Sequence, residues 1–131
     1  MKKHSPTFWR CNHCGNLAEK LINSGVPMIC CGEKMQELVP NTVEASVEKH
    51  LPVVEKFDDY ALKIEVGSAP HPMTEEHHIA FVYIETEEGG EYIMLNVPDG
   101  NPKAEFCICC KGKFVAVYAY CNLHGLWKTA L

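Results

Sequence analysis

Hydrophobic and polar residues alternate along much of the chain, which predicts β-strands rather than helices. The alternation is clearest at Tyr60, Leu62, Ile64 and Val66, since alternate side chains of a strand point to opposite faces of its sheet. Further strands are predicted over residues 79–85, 92–97, 104–110 and 114–120. The acidic and glycine residues at 87–90 predict a hairpin turn. Short strands at this spacing indicate a small all-β, antiparallel sandwich.

The first 37 residues are predicted to form a separate small unit. Short strands are expected over residues 7–11, 17–22 and 26–30, with a turn at Asn23-Ser24-Gly25 between the last two. The apolar residues here are too few for independent stability, so a metal is expected to help hold the unit together. Pro40 and Asn41 mark a connector over residues 39–46. The predicted domains are therefore residues 1–37 and 38–131.

Composition and charge narrow the function. A chain of 131 residues can bury one proper core and a small satellite unit. Its net charge of −5 argues against a nucleic-acid or anionic-membrane partner. The basic start is not followed by an apolar stretch, and no run approaches the roughly 18 apolar residues of a membrane span. The expected location is the cytoplasm, where eight cysteines are better explained by metal binding than by disulfides.

The first candidate metal site lies in the small unit. Its four cysteines are Cys11, Cys14, Cys30 and Cys31, and four thiolates favour tetrahedral zinc or iron. The pair spaced by two can grip a metal through one tight turn, helped by Gly15. The adjacent pair is unusual, because neighbouring side chains point apart and must be bent toward one ion. The pattern alone leaves zinc and iron open.

A second candidate site is organised around Cys121 and His124, which follow the strand predicted over 114–120. Thiolate and imidazole are both ligands of transition metals, but two are too few. Three upstream histidines, His50, His71 and His77, lie at predicted loop–strand junctions, where a sandwich clusters its loops. One thiolate and four imidazoles would leave one coordination position open for chemistry. The alternative is that each histidine is an ordinary surface or core residue.

In combination these motifs resemble the desulfoferrodoxin family, the two-iron class of superoxide reductase. The resemblance rests on the four cysteines, on Glu48-Lys49-His50-Leu51-Pro52-Val53, on His71-Pro72-Met73 with His77 six residues after His71, and on residues 121–128, CNLHGLWK. It covers nearly the whole chain. It implies a desulforedoxin-like domain that carries a four-cysteine iron, followed by an immunoglobulin-like sandwich that carries a second iron.

The resemblance also implies roles for individual residues. His50, His71, His77 and His124 would be the equatorial ligands of the second iron, and Cys121 the axial one. Glu48 and Lys49 match the family's two catalytic accessory residues. Backbone N–H groups of Leu123 and His124 would hydrogen-bond to the Cys121 sulfur. The implied partners are superoxide, a rubredoxin-like electron donor and a second copy of the chain.

Some residues fall outside the family pattern. Cys107, Cys109 and Cys110 are expected to behave as small apolar side chains. His4 and His13 match no ligand, and His78 is expected to lie behind a ligand or to face solvent. Trp127 is expected to cover the second site or a subunit contact. Two other functions stay open from the sequence: a zinc-ribbon module that binds another macromolecule, and an iron electron carrier.

Overall fold

The computed structural model describes residues 5–43, 45, 47–69, 71–95, 102–107 and 113–131, with the backbone only at residues 48, 104, 106 and 107. The small N-terminal unit contains β1 (Phe8–Arg10), β2 (Leu17–Glu19), β3 (Ile29–Cys30), β4 (Glu33–Lys34) and β5 (Gln36–Leu38). One helical turn, α1 (Val47–His50), precedes β6 (Pro52–Asp58), β7 (Ala61–Val66), β8 (Ile79–Thr86), β9 (Gly89–Met94), β10 (Lys103–Cys107), β11 (Phe114–Cys121) and β12 (Gly125–Ala130). No helix in the described ranges has the length or apolar character to cross a bilayer.

The later strands form the predicted antiparallel sandwich. In the described chain, one sheet has the strand order β10-β7-β6 and the other β12-β11-β8-β9. Leu62, Ile64 and Val66 of β7 are buried against the second sheet, as the period-two alternation predicted. Cys121 belongs to the same buried cluster, so the end of β11 connects the core directly to the candidate site.

The outer face of the second sheet is covered by the N-terminal unit. Phe8 packs against Phe81, Tyr83 and Tyr118, with ring centroids 6.0, 5.2 and 5.6 Å away. The Tyr83 hydroxyl donates a hydrogen bond to Glu19 Oε2 at 3.0 Å. Both faces of β8 are therefore buried. Phe8 thus joins the N-terminal unit to the sandwich through aromatic packing.

Strand pairing in the N-terminal unit differs from the prediction. The expected strands over 17–22 and 26–30 shorten to β2 and β3, and they do not pair with each other. Instead β2 and β5 flank β1, and β3 pairs with β4. The reason lies in the turn chemistry: Cys31 and Gly32 both adopt positive φ and form a two-residue hairpin between β3 and β4.

The sandwich contains two strands that the alternation did not predict, β6 and β12. Most residues of β6 are exposed, so its pattern is weak. In β12, Leu126 and Trp127 are both buried although they point to opposite faces. The turn at 121–124 therefore connects β11 to β12, and these two strands pair with each other. The sheet does not end at β11. The hairpin between β8 and β9 is confirmed, while the predicted continuations to 97 and 110 lie outside the described residues.

Candidate metal centres

The four N-terminal cysteines come together as predicted. The Sγ atoms of Cys11, Cys14, Cys30 and Cys31 all lie within 4.8 Å of one another. The first pair is held by one tight turn, in which the Cys14 N–H donates to Cys11 Sγ at 3.5 Å and the Gly15 N–H donates to the Cys11 carbonyl at 3.0 Å. Gly15 has φ +80, a conformation that glycine adopts without strain. The five cysteines whose side chains are described form no disulfide.

The adjacent pair reaches one site because of its hairpin. Cys30 ends β3, and Cys31 is the first residue of a turn in which Cys31 has φ +53 and Gly32 has φ +77. Positive φ at both central residues is the type I′ arrangement. This turn rotates the Cys31 side chain back toward Cys30. Two neighbouring cysteines can therefore contact the same ion. A left-handed conformation costs a residue with a Cβ about 1–2 kcal/mol, and shared coordination offsets such a cost.

The thiols of this cluster differ in acidity. Hydrogen bonding, chiefly from the Cys14 N–H, lowers the pKa of Cys11 to about 6. The hydrogen bond with Cys14 is the main cause that raises the pKa of Cys31 to about 12, and contacts with Cys11 and Cys30 raise it further. Four thiolates this close repel one another unless a cation neutralises them. The donor set therefore fits a tetrahedral thiolate metal site.

The second cluster forms at one end of the sandwich. The donor atoms of His50, His71, His77 and Cys121 lie within 4.8 Å of one another. His124 completes the group: its Nδ1 is 3.1 Å from His50 Nε2 and 3.8 Å from Cys121 Sγ. His50 ends the helical turn α1 and Cys121 ends β11, while the other three residues lie in loops. The structure thus brings together all five residues that the sequence pattern selected.

The hydrogen bonds around the imidazoles indicate that their ring nitrogens face a metal position. His71 Nδ1 is 2.7 Å from the Pro72 carbonyl, an acceptor, so Nδ1 carries the proton and Nε2 presents a lone pair. His50 Nε2 is 3.1 Å from both His71 Nε2 and His124 Nδ1, yet a neutral imidazole has one N–H to share. His77 Nε2 is buried and has no hydrogen-bond partner among the described residues. A cation at the centre would satisfy all of these atoms.

Burial acts in opposite directions on the two kinds of ligand. It lowers the pKa of His71 to about 4, with the neighbouring histidines adding to the effect, and so favours the neutral ring. Burial raises the pKa of Cys121, whereas hydrogen bonds from the Leu123 and His124 N–H groups lower it. The resemblance implied these two N–H groups. They stabilise a thiolate that is otherwise surrounded by apolar residues.

Two further predicted residues lie at the rim. Trp127 stacks on His50 with ring centroids 5.1 Å apart, and its indole N–H donates to the His124 carbonyl at 3.1 Å; it covers the second site, as expected. Lys49 is exposed, and its charge contributes to the lowered pKa of His77, after burial and the nearby histidines. The side chain of Glu48 lies outside the described residues.

The two remaining histidines that the structure describes, His13 and His78, have partners outside the two clusters. His13 is exposed and pairs with Glu33 at 3.0 Å. His78 contacts the Thr74 carbonyl through Nδ1 at 2.8 Å. His4, Cys109 and Cys110, and the side chain of Cys107, lie outside the described residues. Sequence reasoning missed Asn122, which is hydrogen-bonded to the loop that carries His77, because an asparagine in a turn is ordinarily explained by the turn itself.

Comparisons with known proteins agree with this geometry. The sequence profile of the desulfoferrodoxin family matches residues 42–130. The desulfoferrodoxin of Nitratidesulfovibrio vulgaris is 42% identical over 121 residues, which cover 92% of this chain and 93% of the relative. The superoxide reductase of Pyrococcus horikoshii is 38% identical over 97 residues, 62% of this chain and 84% of the relative. The crystal structure of the superoxide reductase from Treponema pallidum superposes with a TM-score of 0.79 at 30% identity, covering 97% of this chain and 98% of that one.

Proposed function

The chain belongs to the desulfoferrodoxin family, and we propose that it is a superoxide reductase. Superoxide takes up one electron and two protons and leaves as hydrogen peroxide, without oxygen being formed. The observation that carries this proposal is the cluster of one thiol and four imidazoles at the end of the sandwich. The similarity to proteins named superoxide reductase supports it.

Two irons per chain fit the two clusters. The proposed ligands of the first are Cys11, Cys14, Cys30 and Cys31; those of the second are His50, His71, His77, His124 and Cys121. The second iron, when bound, would supply the electron that superoxide takes up. The protein supplies the fixed donor atoms, and the hydrogen bonds from Leu123 and His124 set how strongly the Cys121 thiolate donates charge.

Lys49 is the residue that we propose guides superoxide into the site. Its ammonium group is exposed near His77, and it provides local positive charge in a chain whose net charge is −5. A local positive field raises the rate at which a small anion reaches an opening. We propose that the same group also orients a water molecule that delivers protons to the product.

Glu48 precedes Lys49 in the helical turn α1, and we propose that it closes the opening in the oxidised protein and withdraws on reduction. The four-cysteine site is proposed to act either as an electron relay or as a structural anchor. The electrons are proposed to come from a rubredoxin-like donor. A homodimer, a cytoplasmic location and a division into domains 1–37 and 38–131 complete the proposal. The exposed thiols at Cys14 and Cys31, which a redox partner could approach, support the role of the electron donor.

Pulse radiolysis of the reduced protein, with iron counted per chain, tests the proposed function. We expect two irons, stoichiometric oxidation of the second site by superoxide, one peroxide per superoxide consumed and no oxygen. A colourless protein that contains zinc alone would instead favour a binding module. Iron that is redox-active but indifferent to superoxide would favour an electron carrier. Either result would overturn the proposal.

A further inference from the structure

Asn122 lies between two proposed ligands, Cys121 and His124, and its side chain reaches a different part of the chain. Its Oδ1 accepts a hydrogen bond from the His78 N–H at 2.9 Å, and its Nδ2 donates to the Glu76 carbonyl at 2.9 Å. Its own backbone N–H donates to the His78 carbonyl at 3.2 Å. The side-chain amide therefore brackets both peptide units that flank His77.

The loop that carries His77 has little other support from the sandwich. Within the loop, Thr74 satisfies the backbone of His77: its N–H donates to the His77 carbonyl at 2.9 Å, and its hydroxyl accepts from the His77 N–H at 3.1 Å. These bonds shape the loop but join residues only three apart. Among the described side chains that bond to residues 76–78, only Asn122 belongs to the turn that carries Cys121 and His124.

An amide is well suited to this position because it combines one acceptor and two donors in a plane. The orientation is fixed by its partners, since an N–H needs an acceptor and a carbonyl needs a donor. A carboxylate could accept from the His78 N–H but would face the Glu76 carbonyl without a proton to donate. A side chain without polar atoms could do neither. The structure thus contains a specific link between two ligand-bearing segments.

We propose that Asn122 is a positioning residue that fixes His77 relative to Cys121 and His124. This inference rests on the proposed function, because it takes those three residues as ligands of one metal. His71 is oriented through its own ring by the Pro72 carbonyl, and His50 by stacking on Trp127. The His77 ring has a buried Nε2 with no hydrogen-bond partner among the described residues, and the backbone on either side of the residue is held by Asn122. Loss of that link should weaken the second site and leave the four-cysteine site unchanged.

The matched control is Asn41, whose side chain makes the same two-point contact elsewhere. Its Nδ2 donates to the Lys128 carbonyl at 3.1 Å, and its Oδ1 accepts from the Lys128 N–H at 2.9 Å. Asn41 also has φ +61, so alanine there adds backbone strain. Asn41→Ala should therefore destabilise the protein at least as much as Asn122→Ala, without any link to His77.

The experiment compares Asn122→Ala, Asn122→Asp and Asn41→Ala in the full-length, iron-loaded protein. We expect Asn122→Ala to lose iron from the second site to a competing chelator about 10- to 100-fold faster than the parent, which is the factor by which metal affinity falls when outer hydrogen bonds of a metal site are removed. The His78 amide should also lose its protection from hydrogen exchange in the metal-free protein. Asn122→Asp keeps one of the two bonds and should fall between Asn122→Ala and the parent.

Two results would overturn the proposal: iron loss from Asn122→Ala at the parent rate, or equal acceleration in Asn41→Ala, which would indicate general destabilisation. Should Asn122→Ala fail to fold, Asn122→Asp decides by the same two criteria. Neither readout uses superoxide. A failure of the parent protein to reduce superoxide would therefore refute the proposed function and leave the role of Asn122 to be judged separately.

Discussion

The two candidate iron sites draw their donors from very different lengths of chain. The four cysteines of the first lie between residues 11 and 31, on two turns of a unit with short strands, and Cys14 and Cys31 are exposed. The second takes donors from residues 50 to 124, at the end of a sandwich in which Cys121 is completely buried. The first unit has few buried residues of its own and is expected to depend on its metal for stability, whereas the second site is built by a fold that has its own core.

Charge separates the sites as well. A divalent ion bound by four thiolates leaves a net negative centre, while one bound by a single thiolate and four neutral imidazoles leaves a net positive centre. Superoxide is an anion, so the field of the first site repels it and that of the second attracts it. The comparison thus explains why a chain with two redox-capable centres would carry out its chemistry at only one of them.

Cys121→Ala should produce the largest effect, because it removes the thiolate that both holds the second iron and donates charge to it. We expect the rate of superoxide reduction to fall by roughly a hundredfold or more, since removing even outer hydrogen bonds of a metal site costs 10- to 100-fold. The first site should keep its iron. Pulse radiolysis and iron analysis measure both quantities. A variant that still reduces superoxide at the parent rate would place the chemistry elsewhere.

Cys14→Ala removes a proposed ligand of the first site. It should destabilise the N-terminal unit without slowing superoxide reduction at the second site. Loss of one of four thiolates should release that iron and remove the hydrogen-exchange protection of β3 and β4, because few buried side chains support them. Superoxide reduction at an intact second site should stay within about twofold of the parent, since its ligands come from other elements. If superoxide reduction were lost together with the first iron, the two sites would not be independent of each other.

The sequence could predict which donor residues come together, because cysteine spacing indicates the first group and the resemblance to a known family selects the second. It could not predict Asn122, whose role depends on a contact across 44 and 46 residues. It also missed β12, because Leu126 packs toward Phe8 on one face while Trp127 packs on His50 at the other. Consecutive buried residues hide the alternation on which strand prediction depends.

The packing of the N-terminal unit on the sandwich could not be predicted either, because it also depends on contacts between residues far apart in the chain. Tyr83 can reach Glu19 because Gly90 leaves room: a Cβ at residue 90 would overlap the Tyr83 phenol. Nothing in the local sequence distinguishes this glycine from its neighbour Gly89, which lies in the same hairpin. Only the contact between strands shows which of the two is required for packing.

Gly90→Ala tests whether the two units support each other. Tyr83 is buried and held by Phe8 and Glu19, so it cannot move aside without breaking those contacts. We expect a loss of about 1–3 kcal/mol in the free energy of unfolding, as is typical of overpacking, measured by denaturant titration. In a Tyr83→Ala background, which removes the phenol that the new Cβ would overlap, the same change should cost much less. If Gly90→Ala is as stable as the parent, the Tyr83–Glu19 contact contributes little to joining the two units.

Lys49→Ala should disturb the structure least of the four, because it changes the approach of superoxide and leaves every proposed ligand in place. Removing one exposed positive charge should lower the second-order rate constant by about tenfold or less at low salt, and the dependence of that rate on ionic strength should flatten. Lys49→Arg keeps the charge and should keep the salt dependence, which separates charge from side-chain shape. Pulse radiolysis across a salt series measures both variants. Because the first centre repels anions and the second attracts them, a salt dependence unchanged in Lys49→Ala would mean that the metal centre itself supplies the attraction and that Lys49 adds nothing to it.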